Sequence, residues 1–326
     1  MRVALCGLGE IGAHHLAAIR DCEAAELAAV CDLDQALARS LAGGAAVHAD
    51  FARMLAEEEL DVVDVCLPHS LHREVAVAAL ESGCDVLLEK PLAVDIESCD
   101  AILGAAEVAG RAVAVSHNQL FYGPHRRLLE LLDSGRLGEL RSLYARLWIG
   151  GRYGGWRTDP TVVGGGLLMD AGVHRVYMLR ALGGPVRAVT ATMDRPRAER
   201  AFTVTFEFET GALGVAQGTY HGPAGVFDDS LGLVGTAGMA SVAGCEAFSE
   251  GDIRDVPPLR TRLDGVWSDD PAAGTWEESV RASVQESLTA LAAGIKPPVD
   301  GASAQEIVAL IEAAYRASES GATVTL

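Results

Sequence analysis

Arg2-Val-Ala-Leu-Cys6, Gly7-Leu-Gly9-Glu-Ile-Gly12 and Ala13-His-His-Leu-Ala-Ala-Ile19 follow one another without a break. The first run is apolar and short, as in a buried strand. The last has helical spacing, with Ile11, Leu16 and Ile19 on one side. Between them the glycines fall as G-x-G-x-x-G. Gly7 is placed for a tight turn, Gly9 for close approach of a pyrophosphate, and Gly12 for tight packing of helix on strand. The helix N-terminus adds unpaired N–H groups and partial positive charge. In a chain with 36 glycines the motif needs its context. A second apolar run, Leu27 to Cys31, ends at Asp32, 20 residues beyond Gly12. A carboxylate at the end of the second strand accepts hydrogen bonds from an adenosine ribose and repels a 2′-phosphate. Leu33-Asp34 follow, with no arginine, so NAD is expected rather than NADP. The expected contacts are Gly7, Leu8, Gly9, Glu10, Ile11, Gly12 and Asp32.

Outward from this stretch, strand and helix alternate. Helical patterns cover Asp34–Leu41, Asp50–Leu55, His72–Ser82 and Ile96–Ala109; strand-like runs cover Asp61–Leu67, Asp85–Leu88 and Ala112–Val115. Helices between strands mean crossovers and a parallel sheet. After residue 120 the pattern changes. Tyr122–Ser134 is helical, then strand-like runs follow at Arg141–Ile149, Val186–Met193, Phe202–Phe208, Ala212–Tyr220, Leu231–Val234 and Met239–Val242. Thr203–Glu209 alternates like a strand with one wetted face. The expected class is α/β, with a parallel-sheet domain over 1–120 and an α+β domain for substrate binding and oligomerisation, with a mostly antiparallel sheet, over 121–326, whose last helix has the option of packing back on the first domain. Residues 251–274 are polar and proline-marked, and are expected to be irregular surface. Helices are expected over about 275–293 and 302–320.

The 326-residue chain carries a formal charge of −19, which argues against nucleic-acid and anionic-membrane partners. No apolar run approaches the ~18 residues of a membrane span. Seven cysteines, with no C-x-x-C pair, lie mostly in apolar runs, which suggests no disulfide framework and a cytoplasmic location. Histidines pair locally at 14–15 and 69/72, with no set of convergent metal ligands.

Two stretches carry chemistry. Glu89-Lys90-Pro91-Leu92 stands at the carboxyl end of a parallel strand, where ligands bind in such sheets. A lysine there stabilises negative charge developing on a substrate oxygen. Gly164 to Pro185 reads as a helix over 167–182, with Asp170 and His174 four apart on one face. A carboxylate beside an imidazole makes a general base, which alcohol oxidation by NAD requires. An exposed i,i+4 ion pair would give the same spacing.

The stretches Gly7–Gly12, Leu67-Pro-His-Ser-Leu-His72, Gly83–Leu92, Gly164–His174 and Ile307–Gly321 together resemble the Gfo/Idh/MocA (glucose–fructose oxidoreductase / inositol dehydrogenase) family. The likeness runs along essentially the whole chain, in order. It implies an N-terminal Rossmann domain and a C-terminal domain with a large open sheet that forms the subunit interface of a homodimer or homotetramer. It implies Lys90, Asp170 and His174 as a catalytic trio, with His174 as the acid/base. It also implies Leu67, Pro68, His69, His72, Glu89, Lys90 and Asn118 along the cofactor. The chain departs from the family at Leu120, where many relatives carry an arginine. His117, Asn118, Tyr153, Trp156 and Arg157 are the expected substrate contacts beside Lys90, Asp170 and His174. The implied function is an NAD-dependent dehydrogenase or ketoreductase acting on a cyclic polyol or sugar, with no metal. An NAD-dependent glycosidase or eliminase using a transient redox step, or a non-catalytic NAD-bound sugar sensor, are the alternatives.

Overall fold

A computed structural model of the chain describes residues 1–151, 154–244 and 258–326. They form two compact units, residues 1–118 with 280–308, and residues 119–279 with 309–326. The division at 118/119 falls near the change of pattern in the sequence. The grouping of 280–308 with the first unit arises from tertiary contacts that no local signal announces.

The first unit alternates strictly: β1 (Arg2–Cys6), α1 (Glu10–Arg20), β2 (Glu26–Cys31), α2 (Gln35–Leu41), β3 (Ala46–His48), α3 (Phe51–Glu57), β4 (Val62–Val65), α4 (His72–Glu81), β5 (Asp85–Glu89), α5 (Ile96–Ala109) and β6 (Val113–Ser116). The six strands stand in the order β3-β2-β1-β4-β5-β6 and pair in parallel. This is the doubly wound order, and its turning point lies between β1 and β4. β4 is buried along its whole length, as a strand covered on both faces must be. Helix ends follow local chemistry. Asp34, Asp50 and Asp95 cap α2, α3 and α5 through their carboxylates, and Gly110 closes α5 in the left-handed region at φ 63°.

The second unit contains α6 (Gly123–Asp133), β7 (Leu140–Ile149), α7 (Pro160–Val163), a π-helical turn (Leu168–Gly172), α8 (Val173–Gly183), β8 (Val186–Met193), β9 (Ala201–Phe208), β10 (Leu213–Thr219), β11 (Phe227–Asp228), β12 (Leu231–Gly235), β13 (Gly238–Val242), β14 (Leu259–Leu263) and β15 (Val266–Asp270). Then come α9 (Trp276–Ala292), α10 (Gly301–Ser320) and β16 (Val324–Thr325), the two helices being shared between the units. The sheet order is β15-β14-β13-β12-β7-β10-β9-β8-β16, with β11 beside β7. Pairing is antiparallel except between β7 and β10. On β9 the alternation is complete: Phe202, Val204, Phe206 and Phe208 are buried while Thr203, Thr205 and Glu207 are not. α8 lies over that apolar face because glycines make room for it. A Cβ on Gly183 would stand 2.4 Å from the Phe208 ring, and one on Gly172 would stand 3.0 Å from the Phe202 ring.

The expectation of an irregular segment over 251–274 is corrected. Residues 251–257 lie outside the described residues, but β14 and β15 form a hairpin. Its loop is Asp264-Gly265, both at positive φ (54° and 80°), the arrangement of a two-residue hairpin turn whose twist matches the strands. The alternation Leu259-Arg-Thr-Arg-Leu263 is present in the sequence but masked by the polar composition around it. The single helix expected over 167–182 also begins differently, as the π turn before α8. No helix of the described residues is long and apolar enough to cross a membrane. Six cysteines are free and buried, and Cys245 lies outside the described residues.

Two helical glycines separate packing from propensity. Gly104 on α5 is exposed, and its Cβ position is empty. Gly104→Ala should therefore gain up to about 1 kcal/mol. Gly183→Ala, at the last residue of α8, has at most that propensity gain, and overpacking against Phe208 costs about 1–3 kcal/mol, so it should lower the melting temperature. Equal effects of the two variants in thermal unfolding would contradict the packing account.

Candidate active site and cofactor edge

At the end of β1 the chain must turn under β4. The Gly7 N–H donates to Cys31 O at 2.8 Å, and Gly7 adopts φ 93°. A Cβ there would stand 2.3 Å from Cys66 O. A Cβ on Gly12 would stand 2.1 Å from Gly7 O. Both glycines are thus demanded by the fold itself. Gly9 is not: its φ is −63°, and a Cβ there meets nothing within 4 Å. It sits exposed at the N-terminus of α1, next to exposed Glu10 and half-buried Ile11. An open backbone at a helix N-terminus is the cradle that a pyrophosphate fills. Asp32 accepts from the Leu8 N–H at 2.7 Å and the Asp34 N–H at 2.8 Å, one on each oxygen. Each oxygen keeps lone-pair capacity for a ribose hydroxyl. The residues present fit a nicotinamide dinucleotide: Gly9, Glu10 and Ile11 would lie beside its phosphates and Asp32 beside its ribose, with half-buried Leu67 and Pro68 following β4.

Beneath this edge lies a buried ionic network. His15 Nδ1 is 2.8 Å from Asp64 Oδ2, and His15 Nε2 is 3.1 Å from Glu89 Oε1. Both ring nitrogens face carboxylate oxygens, so both carry protons and the ring is an imidazolium. Burial, the largest single influence, pulls its pKa down, but the charge and hydrogen bond of Asp64, with Cys66 beside them, together outweigh it and hold the ring well above the usual histidine value. Burial likewise pushes Glu89 up, yet the bond and charge of His15, with Lys90 and Ser116, hold it below the usual carboxylate value. Cys66, pushed up to about 12 chiefly by burial, stays a thiol. His15, Asp64 and Cys66 bring ligand-type atoms within 4.8 Å of one another, a convergence invisible in their spacing. Through its two carboxylate contacts the ring acts as a hydrogen-bonded clamp.

Lys90 follows on the half-exposed end of β5, its N–H donating to Glu89 Oε2 at 3.2 Å, with a cis Lys90–Pro91 peptide. Two of the expected contacts, His72 and His117, are buried. His72 is fully enclosed, with its ring nitrogens 2.9 Å from Pro91 O and 3.0 Å from Leu67 O. It ties the turns after β4 and β5 together. His117 is 1% exposed. Burial pushes its pKa down to about 3, with Glu89 opposing and Lys90 assisting. It is a neutral residue of the core, behind the edge. His69 and Asn118 are also largely buried, at 4% and 5% exposure.

In the second unit the glycine run places the acid. Leu167 N–H donates to Glu199 O at 2.9 Å and Leu168 N–H to Glu199 Oε1 at 2.8 Å. A Cβ on Gly166 would collide with the Glu199 backbone, and one on Gly165 with Tyr315 Oη. The π turn then presents Asp170, 3% exposed. Tyr220 donates its hydroxyl to Asp170 Oδ2 at 3.3 Å, and Arg157 Nε is 3.5 Å from Oδ1. An exposed ion pair is thereby excluded for Asp170. Arg157 is stacked over Trp156 at 4.9 Å, and half-buried His174 stands in the first turn of α8. Tyr153 lies outside the described residues. Asp170 lines a cavity of about 360 Å³ together with Arg157, Arg195, Glu199, Arg200 and Tyr220.

Residues 1–117 match the family described as "Oxidoreductase family, NAD-binding Rossmann fold", and residues 125–241 match the "GFO/IDH/MocA C-terminal domain". The chain belongs to the Gfo/Idh/MocA oxidoreductases. It is 31% identical over 277 residues to 1-carboxy-3-chloro-3,4-dihydroxycyclohexa-1,5-diene dehydrogenase of Comamonas testosteroni, covering 82% of this chain and 67% of that one. It is 34% identical over 199 residues to D-glucoside 3-dehydrogenase of Escherichia coli, covering 59% and 57%. Among solved structures, aldose–aldose oxidoreductase from Caulobacter crescentus superimposes with a TM-score of 0.88 at 24% identity, covering 100% and 99%. GenD2 from gentamicin A biosynthesis, solved with NAD, gives a TM-score of 0.85 at 25% identity, covering 100% and 96%.

In this Gfo/Idh/MocA chain four cavity residues carry no sequence signal: Arg195, Glu199, Arg200 and Tyr220. They reach Asp170 only through the pairing of β8, β9 and β10, and a polar residue at a strand end looks the same wherever it leads. Glu199 is the sharpest case. It is 1% exposed, and its Oε2 has no hydrogen-bond partner among the described residues. Burial pushes its pKa up to about 7, against the N–H and Tyr315 hydroxyl donors.

Glu199 and Gly9 each give a test. The folded protein holds Glu199 protonated while the unfolded chain releases that proton near the usual value of 4.5. Stability therefore falls as pH rises from about 4.5 to about 7, by about 3 kcal/mol, and levels off above. Glu199→Gln keeps an acceptor for Leu168 and Tyr315 and should flatten that slope in urea titrations from pH 5 to 8. An unchanged slope would clear Glu199 of titrating there. Gly9→Ala should leave the melting temperature of the unliganded protein unchanged while raising the Kd for NAD at least tenfold; unaltered NAD binding would remove Gly9 from the cradle.

Proposed function

We propose that the protein is an NAD-dependent dehydrogenase or ketoreductase acting on a secondary hydroxyl of a ring polyol or sugar. The observation that carries this reading is Asp170: a buried carboxylate on a π turn, held by Tyr220 and Arg157 at the wall of a cavity, four residues before His174. Single-turn π segments recur at functional sites. The named activities of the relatives, oxidation of a dihydroxycyclohexadiene and of a glucoside, are alcohol oxidations on a ring and support the same class. An inositol 2-dehydrogenase of Saccharopolyspora erythraea, 33% identical over 202 residues, agrees.

Bound NAD supplies the hydride acceptor in such a reaction. The remaining work falls to this chain's own side chains. His174 takes the hydroxyl proton, and Asp170 favours the imidazolium that results. Lys90 steadies negative charge on the substrate oxygen, and Trp156 with Arg157 offers an apolar face and polar edge to the ring. Asp32 without a following arginine selects NAD over NADP. The large sheet of the second unit serves as the contact between subunits of a homodimer or homotetramer. Six buried free thiols suit a reducing compartment, the cytoplasm.

A panel of inositols and pyranosides, assayed for NADH formation with NAD and with NADP, tests the reading. NAD should be preferred at least tenfold. His174→Ala should lower kcat by about 10²–10⁴ with little change in the Kd for NAD. Full kcat in that variant would remove His174 from the proton transfer.

A further inference from the structure

The cavity beside Asp170 is more basic than the protein around it. The chain has a formal charge of −19 with 26 lysines and arginines among 326 residues. Yet Arg157, Arg195 and Arg200 all line this one cavity. Arg157 is answered by Asp170 at 3.5 Å. Arg200 is half-buried, and its Nε is shielded from solvent with no hydrogen-bond partner among the described residues. A buried guanidinium donor left unmade costs free energy that a bound acceptor recovers. Arg195 is exposed. The nearest acid on the same turn, Asp194, spends Oδ1 on the backbone N–H groups of Arg195, Arg200 and Ala201 at 2.9–3.1 Å, and its Oδ2 faces His221 Nε2 at 3.8 Å. Glu199, the other acid of the wall, is held largely protonated by burial up to about pH 7.

We infer that the substrate carries an anionic group, a carboxylate or a phosphate, which Arg200 and Arg195 bind across the cavity from Asp170. Arginine suits this task because its planar fork meets two oxygens of such a group at once. A neutral polyol would accept hydrogen bonds from the same N–H groups but would leave the two positive charges uncompensated. The inference rests on the dehydrogenase reading for the location of the reacting hydroxyl. The recognition of the anion itself does not depend on turnover.

Binding to the NAD-loaded protein is measured by calorimetry with matched pairs that differ in charge: glucose with glucuronate and with glucose 6-phosphate, galactose with galacturonate, and myo-inositol with quinate. In at least one pair the anion should bind at least tenfold more tightly, and the advantage should shrink as salt is raised. The uronate and phosphate arms then tell which anion fits. Arg200→Gln should bring the ratio close to one, and Arg195→Gln should lower it independently should the first variant fail to fold. Arg200→Lys, which keeps the charge without the fork, should retain part of it. Ratios below about threefold in every pair, or ratios that survive both glutamine variants, overturn the proposal. The NADH assay of the same compounds reads the dehydrogenase proposal separately: anion selectivity without NADH leaves the anion site standing and removes the reaction.

Discussion

One buried imidazolium holds the cofactor edge together. His15 is on α1, Asp64 on β4 and Glu89 on β5, so three elements meet through a single ring. The N-terminus of α1 is the proposed phosphate cradle, and the residue after Glu89 is Lys90. The clamp therefore couples the proposed dinucleotide cradle to the place where a lysine emerges. A buried charge set of this kind adds little net stability, because desolvation offsets most of the attraction. Its value is geometric: removing any member strands a charge in the core, so the three elements have one arrangement. The Cys66 thiol, 3.8 Å from Asp64, supplies a further weak donor to the carboxylate.

The two buried glutamates show what a partner does. Glu89 and Glu199 are both nearly inaccessible, at 8% and 1% exposure. Glu89 has a cation against it and is held ionised; Glu199 has only N–H and hydroxyl donors, and its pKa rises to about 7. The same side chain thus serves as a charged brace in one unit and a largely neutral one in the other. Glu199 receives Leu168 and Tyr315 on one oxygen, and so anchors the start of the π turn that carries Asp170.

Close backbone contact is the second theme. Gly7 and Gly12 under β4, Gly165 and Gly166 against Tyr315 and Glu199, and Gly183 over Phe208 all occupy places where a methyl group has no room, and Gly172 over Phe202 leaves only a tight fit. Gly9 stands apart as a glycine the fold does not need, which makes its exposure informative about a ligand.

The local signals in the chain determined a great deal. Period-two and 3.6-residue patterns, aspartate caps and glycine stops set nearly every helix and strand, because these are interactions between residues near in sequence. The glycine spacing and Asp32 marked the cofactor edge for the same reason. Where composition hid the pattern, as in the Asp264-Gly265 hairpin, the signal was present but outvoted by polar neighbours. Only the tertiary structure decided that His72 and His117 are core residues, that His15 is charged, and that Arg195, Glu199, Arg200 and Tyr220 gather around Asp170. Burial and charge pairing are properties of segments brought together across tens to hundreds of residues, and nothing in a residue's immediate neighbours records how much water folding will leave it.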